Sequence, residues 1–302
     1  SAGIVDALRI QNGRLELSDT RTAVTADLRA EQITCSRFQP ALAQSGISLP
    51  ANGIDLETTV DAEFGESISL DLAKVSVREG SQHLLTLNRI TLRDLRTVNE
   101  TLAMDSLEVA GPVLPIQKNS DGSIMIAGLQ FGPSTNKSAQ QDARKLTTPT
   151  SVKTSALPKI RLGSLDCADT EIRFTDASLE PSATVTVVDL NIRGDAITIG
   201  EAAPPGRLTL SCSIPDVAKQ FRTAVKLNSS ASGLSTTLEC DTSGITCIGL
   251  TPWLRPLGIE PEFTNGSLKL FAQIDASPND EGIRAAAQLG DLRFADAGQD
   301  LL

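Results

Sequence analysis

"SISLDLAKVSVREGSQHLLTLNRITLRDL" (67–95) alternates apolar and polar residues along nearly its whole length. Ile68, Leu70 and Leu72 share one parity, and after a one-step slip Val75 and Val77 resume on the other. Such a period of two places alternate side chains on one face of an extended chain, so the stretch is expected to form half-buried β-strands. The pattern then spreads over the chain. It recurs in "TLAMDSLEV", "KIRLGSLDCADTEIRF", "ATVTVVDLNIRGDAITI", "GRLTLSC", "GSLKLFAQID" and "AAAQLGDLRF". In "LRIQNGRLEL" (8–17), Leu8, Ile10, Leu15 and Leu17 are expected on two strands around an Asn12-Gly13 turn. A dozen or more strands are predicted.

Helical signals are few. "RFQPALAQSG" (37–46) and "TPWLRPLG" (251–258) each read as about two helical turns stopped by Gly, and Trp253 on the second is expected to plug or staple. "PDVAKQFRTA" (215–224) reads equally as a helix start or a strand.

An internal repeat organises these elements. "ITCSRFQPALAQSGI" (33–47) aligns with "ITCIGLTPWLRPLGI" (245–259) at an offset of 212. "LAKVSVREGSQHLL" (72–85) aligns with "LGDLRFADAGQDLL" (289–302) at an offset of 217. Residues 132–157, rich in Ser, Thr, Lys, Gln and Pro, lack apolar periodicity and read as a flexible insert. The expected organisation is a first β-repeat unit over 1–131, the insert, and a second unit over 158–302. The second copy stops at Leu302 where the first runs on, so a fragment of a longer repeating protein is expected.

Composition narrows the function. Hydrophobic residues make up 40% of the 302, yet aromatics only 3%, with no Tyr and one Trp. The interior must therefore be aliphatic. A net charge of −10 with scattered bases gives no basic patch for nucleic acid. One His (His83) and five cysteines without a C-x-x-C pair supply no zinc site. Asp166, Asp169, Glu171 and Asp176 lack calcium-loop spacing and read as a solvated strand face and turn. Cys240 and Cys247 flank "DTSGIT", a hairpin-turn candidate, which leaves a cross-strand disulfide or buried free thiols open. No apolar run is long enough to cross a membrane as a helix. No nucleophile, paired carboxylates or phosphate loop appears, and neither a catalytic activity nor a cofactor is expected.

The order of segments carries a resemblance. "LEVAGPVLPIQKNSDGSIMIAGLQF" (107–131), with Asn119-Ser120-Asp121-Gly122 as its turn, precedes the polar insert. "LPKIRLGSLDCADTEIRFTDASLEPSATVTVVDLNIRG" (157–194) follows, with Gly163, Phe174 and Asp176 at marked positions. Together with "TPWLRPLGIEPEFTNGSLKLFAQID" (251–275), this resembles the AsmA-like family of envelope proteins within the bridge-like lipid-transfer superfamily. The resemblance implies an elongated, twisted antiparallel β-sheet curling into a groove, built from repeated units with a few short helices. It implies phospholipid or other acyl-chain lipid as partner, and inner- or outer-membrane proteins as further partners. A periplasmic location is implied, with an inner-membrane anchor outside this sequence.

The residues expected to line the groove are Val113, Leu114, Ile116, Ile124, Ile126, Leu129, Ile160, Leu162, Leu165, Ile172, Phe174, Val185, Val187, Leu190 and Ile192. An ordinary closed β core would show the same alternation. A periplasmic scaffold that aids outer-membrane protein assembly without conducting lipid is the alternative.

Overall fold

The structure is a computed structural model that describes residues 7–18, 20–33, 47–48, 53–132, 159–230, 232–260, 262–279 and 282–301. The insert at 132–157 and the helix expected at 37–46 lie almost wholly or wholly outside them. In the first half the strands are β1 (Ala7–Leu17), β2 (Thr22–Ile33), β3 (Ile47–Ser48), β4 (Ile54–Phe64), β5 (Ile68–Glu79) and β6 (Gln82–Val98). β7 (Thr101–Ala110), β8 (Val113–Lys118), β9 (Ile124–Ile126) and β10 (Leu129–Phe131) follow. Beyond the insert come β11 (Ile160–Asp176), β12 (Ala183–Ile199), β13 (Gly206–Ile214), β14 (Ala218–Ser230) and β15 (Gly233–Ile245). A short helix α1 (Thr251–Leu254), flanked by 3-10 turns, precedes β16 (Gly266–Asn279), β17 (Gly282–Asp296) and β18 (Gln299–Asp300).

All of these strands belong to one sheet. Antiparallel neighbours run β1–β2–β4–β5–β6–β7 on one side and β11 through β18 in chain order on the other. The two runs join where β7 pairs in parallel with β11, from Ile160↔Leu102 to Ala168↔Ala110. Gly111, at φ +61°, then lets the chain bend through Pro112 so that β8 continues along the same partner, from Glu171↔Val113 to Asp176↔Lys118. β6 keeps only the pair Thr86↔Val113 with β8. The sheet forks there, and β8 instead recruits β9, β10 and β3 as an antiparallel branch.

Bulges shape the long strands. Non-glycine residues with positive φ sit inside them at Asn12, Gln32, Lys74, Asp94, Asp169, Asp189 and Ala196. Each adds a residue of twist and lets the apolar phase slip by one while staying on the same face. Lys74 is the physical form of the slip between Leu72 and Val75. Near Ala196, Leu162 pairs with Ile197 and Leu165 with Gly194. A Cβ on Gly194 would stand 2.7 Å from Ile197 Cδ1 and 3.5 Å from Leu165 Cβ. Leu162 and Leu165 therefore face the same side although three residues apart.

Two sequence expectations change. Asn12-Gly13 is a bulge within the single strand β1, not a turn, and the Asn12 Nδ2 donates to Asp27 Oδ2 at 2.6 Å. "DTSGI" (241–245) of that stretch is the continuation of β15, paired with β14 on one side and β16 on the other, and Thr246 follows its end. Cys240 thus lies within β15 and Cys247 two residues past its end, and the five strand steps from Cys240 to Ile245 alone span about 16 Å at roughly 3.3 Å per residue, so no hairpin brings the two thiols together. Both thiols are free. Of the ambiguous "PDVAKQFRTA", all from Ala218 onward is strand β14.

Candidate functional site

Cross-strand register turns the local alternation into a continuous feature. In order of pairing, Leu15, Val24, Ala62, Leu70, Leu92, Leu107, Leu165, Gly194, Leu208, Val225, Leu238, Ala272 and Leu289 face one another across thirteen strands. A second row runs beside it through Ala26, Val60, Leu72, Ile90, Val109, Cys167, Ile192, Leu210, Thr223, Cys240, Leu270 and Leu292, with Thr223 its only hydroxyl. Twelve steps of about 4.8 Å make the first row roughly 58 Å long.

The residues between the rows point the other way. They are Thr25, Asp61, Asp71, Thr91, Glu108, Asp166, Arg193, Thr209, Ala224, Glu239, Phe271 and Asp291, so one face is aliphatic and the other largely polar. Burial shows which side is concave. Nine of these twelve are exposed, whereas in the thirteen-residue row only the terminal Leu15 and Leu289 are, at 61% and 60%. The members between them are mostly half-buried, although the only described element outside the sheet is the short helical insert after β15. Curling toward the aliphatic side accounts for this contrast while leaving most of the row half-buried. Of the eleven buried apolar residues among the described ones, five are alanines.

Most of the residues expected to line a groove meet on this face. Leu129, Ile126, Ile116, Phe174 and Val185 form one cross-strand row from β10 to β12. Leu114, Ile172 and Val187 form the next. Leu162, Leu165 and Ile192 belong to the long rows or their flank; Ile160 pairs with Ile199, and Leu190, only 7% exposed, pairs with Thr170. Ile124 pairs with Lys118 and Phe131 at the branch and is 38% exposed. Val113 is the exception. It pairs with Glu171 and Thr86, one step out of phase with Leu114, so alternation turns it to the opposite side.

At one margin of the face lies a polar node that the sequence reading placed in solvent. The Asp176 side chain is 2% exposed. Its Oδ1 accepts from the Ser178 backbone N–H at 3.0 Å and from the Ser178 hydroxyl. Its Oδ2 accepts from Lys118 Nζ and from Trp253 Nε1, each at 3.0 Å. The Ser178 hydroxyl, opposed by burial and assisted by Lys118 and Trp253, holds the carboxyl well below the usual carboxylate range. The Trp253 ring also packs on Phe174 with centroids 6.4 Å apart. The segment carrying it is anchored at its start by Gly249 N–H donating to Asp216 O at 2.7 Å and Thr246 N–H donating to Val217 O at 3.0 Å. It therefore crosses from the β13–β14 turn to the ends of β8 and β11. The signal for this node was present as Phe174-x-Asp176 and a lone Trp, but nothing local tied positions 118, 176 and 253 together.

No group of three or more His, Cys, Asp or Glu among the described residues is placed to hold a metal ion. On the polar face, a concavity of about 520 Å³ is lined in part by Arg222, Glu239, Asp241 and Lys269. Its two cations face two carboxylates, with Lys269 Nζ 3.7 Å from Asp241, so it offers no net charge to select an ion. No family model and no curated protein matches the chain.

Proposed function

We propose that this chain is an AsmA-like envelope protein whose aliphatic groove binds or conducts phospholipid acyl chains between membranes, in support of outer-membrane lipid homeostasis. It acts by binding, without catalysis. The observation that carries the reading is the thirteen-strand aliphatic row, half-buried over most of its length, with no second layer over it among the described residues. Fully burying a Leu side chain is worth about 1.5–3 kcal/mol, so completing the burial of a half-exposed one contributes roughly 1 kcal/mol. An acyl chain laid along the row collects that gain at successive strands and needs no fixed polar partner. At roughly 58 Å the row is about twice the thickness of a bilayer hydrocarbon core, which suits passage better than a pocket for one tail.

The test compares adjacent residues on opposite faces. Wild-type protein purified from a phospholipid-containing host is expected to carry phospholipid in native mass spectrometry. Leu208→Asp, on the aliphatic row, should lose it, while Thr209→Asp should keep it, with circular dichroism confirming that both fold. Equal retention by the two variants, or a folded wild type free of lipid, overturns the proposal. Recovery of an outer-membrane protein client by such lipid-free protein supports the scaffold reading instead.

A further inference from the structure

We propose that residues 246–259 form a strap that covers part of the aliphatic face in competition with ligand, with Trp253 as its releasable latch. This rests on the lipid-binding reading above. Trp253 meets Phe174, a member of the row Leu129–Ile126–Ile116–Phe174–Val185, and so stands where an acyl chain following that row would lie. The indole supplies to Phe174 the apolar cover a ligand would supply.

Two features make the contact releasable. Asp176 keeps Lys118 and both Ser178 donors when the indole leaves, so no buried charge is stranded. In addition, none of the helical residues 248–257 is fully buried, and Ile248 and Leu257 are 65% and 71% exposed. Little packing resists movement of the tip, while the Gly249–Asp216 and Thr246–Val217 bonds hold the base as a hinge.

Trp253 is the only tryptophan of the chain, so its fluorescence reports the latch directly. Titrating delipidated wild-type protein with a short-chain phosphatidylcholine below its micelle concentration should shift the emission and change quenching by acrylamide. In parallel, Trp253→Phe should bind the same lipid about tenfold more tightly by native mass spectrometry, because the competing cover is loosened. Lipid binding with unchanged emission, or equal or weaker binding by the folded variant, overturns the strap and leaves the lipid reading standing. If neither protein binds the lipid, both fall. Should Trp253→Phe fail to fold, the wild-type fluorescence alone decides.

Discussion

Gly163 approaches the backbone of Asp105 so closely that a Cβ at position 163 would stand 2.5 Å from the Asp105 carbonyl oxygen. The contact lies within the parallel pairing of β7 with β11, which joins the two halves of the sheet. A backbone oxygen cannot rotate away as a side-chain tip can. Gly163→Ala is therefore expected to lower stability by about 1–3 kcal/mol, in the range of overpacked sites. Urea denaturation checks this. Gly122→Ala, at an open turn with nothing within 4 Å of the added methyl, serves as comparison for a purely conformational cost.

The Asp176 node predicts a particular acid limb. Its carboxyl is held below its ordinary value, so the folded state favours the charged form. That contribution is complete above the unfolded carboxylate value near pH 4 and is lost as pH falls through the folded value. Thermal midpoints should thus change little on this account from pH 7 to about 5. Asp176→Asn should lower the midpoint at pH 7 and shrink its dependence on pH below about 4. An unchanged acid limb in the variant would show that the node contributes nothing.

Cysteine labelling reads the aliphatic face by a separate route. Cys167 lies in the second apolar row between Val109 and Ile192 and is half-buried. In a variant retaining only this cysteine, a water-soluble maleimide should react readily with delipidated protein. Bound phospholipid should slow that reaction several-fold. A cysteine placed at Thr209, on the polar side, should label at the same rate in both states.

The alternation in 67–95 was enough to read the strands, and even the slip before Val75, because side-chain parity is a local property. Turn chemistry was less reliable. Asn12-Gly13 and Ser243-Gly244 have turn composition but sit inside strands, since positive φ serves a bulge as well as a turn and only the partner strands decide between them. Val113 was misassigned because Gly111-Pro112 resets the phase, and two adjacent strand residues cannot share a face. The parallel contact of β7 with β11 left no trace in the sequence, since parallel pairing is set by a long crossover and not by a hairpin. Of the candidate site, the aliphatic wall was legible as composition and parity. Its continuity across thirteen strands required the register.

The central claim is tested most directly by photo-crosslinking with a phospholipid that carries a diazirine in its acyl chain, followed by peptide mapping. The account predicts adducts at alternate positions on the aliphatic rows, at Leu165, Leu208, Val225 and Leu238. Their neighbours Asp166, Thr209, Ala224 and Glu239 should remain unlabelled. Adducts spread evenly over both faces, or none on folded protein, would contradict it.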